Sequence, residues 1–296
     1  SDPTWSTVPA APTIRATDHR TGGGGNELAD MRSVSATAEV TGRSSSRRTW
    51  TSYIPPQHGA WAFLVVPLLS GFAVAGLSWI GGLLAATWIV AYPVGYFAGR
   101  ALAVRIRRGS WTRLARREAA RTLPWAAGLA VLAVPLLTLR PWLVLVALGV
   151  ALLWASSLLI TLRRSERDLL NDAVLVVLAV LAVPLVWAVT TDLRGWPPEA
   201  DLWVVTAATA AFLFGSVLHV RSLLRRAGDN RFRWLSVAYQ LAAMVGFACA
   251  SPWWLVGFVP AVLRAVLMRP GLRPAAIGAV ETVVSVFFVA AAILAV

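Results

Sequence analysis

The sequence predicts an all-α protein, a polytopic transmembrane helical bundle of about nine spans. Three observations point there. Only 14% of the 296 residues are charged and 57% are hydrophobic, with a mean hydropathy of +0.66, whereas a soluble domain carries roughly 25% charged residues. Apolar runs of bilayer-core length recur from Trp61 to the end of the chain. The arginines gather in alternate gaps between those runs.

Residues 1–52 stand apart. The runs Thr21-Gly22-Gly23-Gly24-Gly25-Asn26 and Gly42-Arg43-Ser44-Ser45-Ser46-Arg47-Arg48 bury too little apolar area to offset lost chain entropy, which predicts a disordered cytoplasmic tail. Residues 1–50 also lack the apolar run a secretory signal needs. Residues 53–296 form the transmembrane helical domain. Its expected spans are 60–77, 79–99, 123–139, 141–161, 173–190, 202–220, 234–250, 252–268 and 276–296. Lipid tolerates only closed backbone hydrogen bonding, and runs this long exceed barrel strands, so each span is helical. Pro67, Pro93, Pro135, Pro184 and Pro260 predict irregularities within them.

The gaps fix the expected orientation. One side receives eight Arg between Arg100 and Arg121, three in Arg163–Arg167, five in Arg221–Arg233 and three in Arg264–Arg273. With Arg43, Arg47 and Arg48 that side holds 22, while the other holds Arg140 and Arg194 with Asp192, Glu199 and Asp201. The positive-inside rule makes the first side cytoplasmic and, with an odd number of spans, leaves Val296 outside a plasma membrane. The stretch 100–122 is long enough for an interfacial helix, with Trp111, Leu114 and Ala115 towards lipid and Arg113, Arg116, Arg117 and Arg121 towards headgroups; the alternative is a solvated charge run.

The net charge of +13 is therefore an orientation signal, and the expected partner is the lipid bilayer with no nucleic acid. All 27 basic residues are Arg, a composition that reads as codon bias. The single Cys249 excludes an internal disulfide and any cysteine metal cluster. No Walker loop, GxGxxG, HExxH or GxSxG occurs, which weighs against nucleotide-driven pumps, nucleotide-dependent oxidoreductases and common proteases. No cofactor is assigned.

Polar residues within or at the ends of spans carry the functional expectation, because burying them in lipid is costly. At the first span, Pro55-Pro56 leads into Gln57, His58 and Trp61, with His58 and Trp61 sharing a face beside an anion-favouring helix N-terminus; a plain interfacial anchor is the alternative. Asp168 and Asp172 sit four apart beside Asn171, spaced either to hold Mg²⁺ or to form an ion-pair ladder with Arg164. Ser216, His219, Arg221 and Arg225 end the sixth span, where arginine forks suit an anionic headgroup or diphosphate and simple topology is the duller reading. Tyr239-Gln240 is expected to hydrogen-bond between helices. Glu281 lies two turns into the last span, either a neutral buried acid or a functional group.

The segment Ile54-Pro55-Pro56-Gln57-His58-Gly59-Ala60-Trp61-Ala62-Phe63-Leu64, followed by Pro67 and Gly71, resembles the start of the YwiC-like bacterial membrane protein family. The resemblance extends over residues 53–296, including the Asn171-Asp172 and Arg221 loops, and the PxQHGAW stretch is its most specific part. It implies a family and no reaction.

A fainter resemblance, in topology only, is to the UbiA-type intramembrane prenyltransferases. It implies nine helices with the amino terminus inside, the carboxyl terminus outside, and a site at the cytoplasmic loops after the second and sixth helices. Those enzymes hold a prenyl diphosphate through Mg²⁺ and two Asp-rich motifs. Here Tyr96 to Arg105 contains no acid, and the later loop offers only Asp229 among five Arg. No metal ligands are carried over. The expected function is binding or modification of an isoprenoid or other lipid-like substrate, an anionic lipid among them, at a cytoplasmic mouth. Gln57, His58, Trp61, Arg100, Asn171, Asp172, His219, Arg221, Arg225 and Glu281 are its candidate substrate-binding residues. The alternatives are a proton-coupled transporter or permease for a small anion, with Glu281 and His219 as coupling groups, and a non-catalytic membrane subunit.

Overall fold

The structure of the chain, a computed structural model, describes residues 53, 55, 60–163, 168–194 and 198–296. The segment read as a disordered tail lies outside them. Among the described residues every regular element is a helix: α1 (Ala60–Ala75), α2 (Trp79–Arg108), α3 (Arg113–Leu139), α4 (Leu143–Arg163), α5 (Leu169–Val180), α6 (Ala182–Thr191), α7 (Ala200–Leu224), α8 (Asn230–Ala250), α9 (Trp254–Leu267) and α10 (Pro274–Ala295). Taking α5 and α6 as one interrupted span, seven spans are long and apolar enough to cross a membrane, and α1 and α9 are shorter apolar helices. Each of the nine expected segments is helical, seven of them at membrane-spanning length.

The stretch 100–122 forms no interfacial helix, and Arg105, Arg107, Arg108, Arg113, Arg116 and Arg117 are exposed, as in the charge-run alternative. Helix α2 has 30 residues, about 45 Å at 1.5 Å per residue, against a hydrocarbon core of about 30 Å. Its turn at Gly109 adopts a left-handed φ of 66°, which glycine takes without strain. Thr112 then caps α3 by accepting from the Ala115 N–H at 3.2 Å. The result is a helical hairpin that packs along its whole length, with no separate helix lying in the interface. Ala115 is fully buried in that hairpin and does not face lipid. Trp111 and Leu114 are exposed, and the Arg105 guanidinium sits 4.7 Å above the Trp111 ring.

Among the prolines, Pro184 is the one beside the α5–α6 boundary. Pro67, Pro93, Pro124, Pro135 and Pro260 lie inside continuous helices. Pro184 has no N–H to offer the carbonyl four residues back and its ring crowds that carbonyl. Leu181 nevertheless keeps helical dihedrals (φ −54°, ψ −24°), and the bonds from Leu181 N–H to the Val177 carbonyl and from Leu185 N–H to the Leu181 carbonyl persist, so α5 and α6 are one span lacking a single bond.

The α5–α6 span and α7 are half-buried and form the centre. One core cluster joins Val176, Val205, Phe212, Trp254, Phe258 and Phe288, with the Phe212 and Phe288 rings stacked at 4.2 Å. A second joins Leu68, Leu84, Leu136, Leu143, Val186 and Val189. Gly71 lets α1 meet α6 closely, since a Cβ there would lie 2.8 Å from Val186 Cβ. Helices α3 and α4 are peripheral and mostly exposed, as expected of helices that face lipid.

Successive helices run in opposite directions, so the bundle has two ends. At one end Arg140 of the α3–α4 turn pairs with Asp192 after α6 at 3.1 Å, and Ser78 meets Thr190 at 2.7 Å. At the other, Arg107 donates to the Thr161 carbonyl at 2.9 Å and Arg233 to the Val266 carbonyl at 2.7 Å. The second end carries the arginine-rich gaps.

Candidate functional site

Three polar clusters lie at or just inside the arginine-rich end. The most enclosed joins α7, α9 and α10. Ser216 and His219 are three apart on α7 and share a face. Arg264 comes from the last turn of α9 and Glu281 from the second turn of α10. Arg264 donates through Nη1 to Glu281 Oε2 and through Nη2 to Ser216 Oγ at 2.9 Å. His219 Nε2 stands 4.0 Å from Glu281 Oε1. His219 is 1% exposed, Arg264 4% and Glu281 9%, so the charges meet out of water. The Arg264 guanidinium also lies 5.7 Å from the Phe212 ring centre. His219 Nε2, Arg264 Nε and Glu281 Oε1 have no hydrogen-bond partner among the described residues.

This placement corrects the arginine count. Arg264 is an intramembrane counter-charge inside α9, not one of the loop arginines. Its position within an apolar stretch, on one face with Gly257 and Ala261, was the available signal.

The second cluster closes the end of the bundle. Asp172, in the first turn of α5, accepts from Arg221 at 2.7 Å and Arg225 at 3.2 Å, both on the last turns of α7. Buried Asn171 accepts through Oδ1 from Ser157 of α4 at 2.6 Å. Asp168 caps α5 by accepting from the Leu170 N–H. Among the described residues no group of three His, Cys, Asp or Glu is arranged to hold a metal.

The third cluster lies between α1, α2 and α3. Trp61 meets Tyr92 edge-on at 5.6 Å, and Tyr92 is 6.3 Å from Tyr96. Arg100 donates to the Tyr96 hydroxyl at 3.3 Å. Its Nε lies 3.8 Å from Glu118 Oε2, and Glu118 Oε1 accepts from Arg121 at 3.0 Å. Glu118 is 3% exposed. Sequence reasoning missed it because it sits in an arginine run read as surface; that it is the lone acid of 100–122 was the available clue.

The candidate residues therefore fall into separate groups. His219 and Glu281 come together; Asn171, Asp172, Arg221 and Arg225 form another set; Trp61 and Arg100 belong to a third. Gln57 and His58 lie outside the described residues. Gln240 donates to the Gly215 carbonyl across α7 and α8 at 3.3 Å, the interhelical bond its position suggested. Asp229 caps α8, and the Phe232 N–H with Arg226 holds its carboxyl below the usual range. At the opposite end a shallow cavity of about 50 Å³ is lined by Asp201, Ser251 and Trp254, away from all three clusters.

The model of the YwiC-like protein family matches residues 54–187, so the family likeness carried by the Pro55–Trp61 stretch holds. The chain is 26% identical over 255 residues to the uncharacterised protein YwiC of Bacillus subtilis (strain 168), and 27% identical over 245 residues to an uncharacterised protein of Haemophilus influenzae (strain ATCC 51907 / DSM 11121 / KW20 / Rd). Each alignment covers 80% of this chain and 95% of the relative. No solved structure matches.

Proposed function

We propose that this YwiC-like membrane protein is a proton-coupled transporter of a small anion, working through Arg264, Glu281 and His219. The observation that carries this reading is the buried Arg264–Glu281 pair with His219 Nε2 4.0 Å from the free carboxylate oxygen. A guanidinium in lipid needs a negative partner. When Glu281 takes a proton it no longer serves as that partner, and Arg264 pairs with an entering anion instead. Proton and anion then move together and leave together, and neutral His219 relays the proton to Oε1. The net charge of the centre is the same in both states.

The proline-weakened α5–α6 span supports the same reading. Asp172 ties its start to α7, and Arg140 ties its end through Asp192 and the Val189 carbonyl. A central span weakened by one missing backbone bond and tied at both ends suits alternate opening. By the positive-inside rule the arginine-rich end faces the cytoplasm, with residues 1–52 on that side and Val296 outside the cell membrane.

The competing reading is a UbiA-like bundle that binds an isoprenoid head at its cytoplasmic mouth. Topology supports it, but Asp172 already occupies Arg221 and Arg225. Uptake of candidate anions into proteoliposomes, with equal anion on both sides and a pH difference imposed, tests the transporter. Uptake driven by an inward proton gradient, and its loss in Glu281→Gln, is the expected result. Gradient-independent uptake, or uptake untouched by Glu281→Gln, would sink it. Extraction of a stoichiometric isoprenoid from the purified protein would favour the competitor, and a co-purifying partner would favour a subunit role.

A further inference from the structure

We infer that the α1–α2–α3 cluster is a binding site for a phosphodiester lipid whose headgroup carries hydroxyl donors, of the phosphatidylglycerol class. The inference is independent of the transport reading. Three features of the cluster converge on that chemistry. Two guanidiniums, Arg100 and Arg121, face one carboxylate, Glu118, at 3.8 and 3.0 Å, so the site holds a surplus of one positive charge. A phosphodiester monoanion cancels it. The Arg100 side chain is 49% exposed and can turn towards such an anion.

The second feature is a want of donors. Glu118 Oε2 is buried and has no hydrogen-bond partner among the described residues, since Arg100 Nε at 3.8 Å is too far to serve. A headgroup hydroxyl supplies the missing donor; a choline headgroup has none. The third is shape. From Arg100 the groups Tyr96 and Tyr92 step one and two turns along α2 away from the hairpin tip, and Trp61 of α1 closes on Tyr92. Amphipathic rings at this level suit the glycerol backbone and upper acyl chain of a lipid whose phosphate lies at the arginines.

Native mass spectrometry of the full chain, titrated with lipids of matched acyl chains, tests the site. Phosphatidylglycerol is compared with phosphatidylmethanol, which has the same charge and no hydroxyl, and with phosphatidylcholine. The expected order is phosphatidylglycerol, then phosphatidylmethanol, then phosphatidylcholine. The first step is about tenfold, the worth of one hydrogen bond to a charged group. Glu118→Gln should abolish the difference between the two anionic lipids, and Arg100→Gln should bring both close to phosphatidylcholine. Equal binding of phosphatidylglycerol and phosphatidylmethanol would overturn the proposal. So would a preference that survives either variant, or competition by soluble glycerophosphoglycerol at the concentrations at which the lipid acts. If Glu118→Gln does not assemble, the half-exposed Arg100→Gln decides alone.

Discussion

Arg264 of α9 and Glu281 of α10 form an ion pair inside the bundle, each less than a tenth exposed. Such a pair adds little net stability relative to apolar residues, but removing one member strands the other charge at about 3–5 kcal/mol. Arg264→Met and Glu281→Leu should each lower the unfolding free energy in detergent by about that much. The double variant should lose far less than the sum, because neither charge is then left alone. Additive losses would show that the two side chains do not hold each other.

Asp172 accepts from both Arg221 and Arg225, but unequally. Arg221 is the closer at 2.7 Å and its side chain is 15% exposed; Arg225 is at 3.2 Å and 39% exposed. Solvent screens the outer contact more strongly. Arg221→Gln should therefore destabilise the bundle more than Arg225→Gln in thermal melts. Charge reversal at both Asp172 and Arg221 should recover part of the loss from Asp172→Arg. No recovery would mean that the pairing is incidental.

Pro184→Ala restores a donor four residues beyond Val180 and removes the ring that weakens the span. The variant should melt higher, while any activity that requires α5 and α6 to move separately should slow. Thermal melts compared with proteoliposome flux read both effects. A faster flux in the stiffer protein would remove α5–α6 from the working cycle.

Asp229 lies outside the spans, and its carboxyl is held low first by the Phe232 N–H and then by Arg226. A carboxylate with a depressed folded value stabilises above its unfolded value, and that contribution fades as pH falls through the folded one. The start of α8 should therefore loosen only below the ordinary carboxylate range. Hydrogen exchange at the Phe232 amide, measured against pH, should show this step, and Asp229→Asn should flatten it while keeping the cap.

Hydropathy makes the nine helical segments legible, because lipid leaves an apolar run little choice of structure. Packing was less visible. Pro67, Pro93, Pro135, Pro184 and Pro260 all sit in helical backbone, so the irregularities expected of them amount to single lost bonds. His219 and Glu281 are legible as polar groups in apolar runs. Their partner Arg264 was hidden among arginines of similar sequence setting, and Glu118 was hidden in the same way. A local pattern reports that a charge is present; which helix supplies its counter-charge is a long-range fact.

With Arg264 and Glu281 ionised and His219 neutral, the centre carries no net charge. A membrane potential acts on net charge, at about 2.3 kcal/mol per elementary charge per 100 mV. An electrically balanced cluster feels almost none of that force at rest. If proton and anion are carried as a balanced pair, turnover should be indifferent to voltage and should answer to the pH and anion differences across the bilayer.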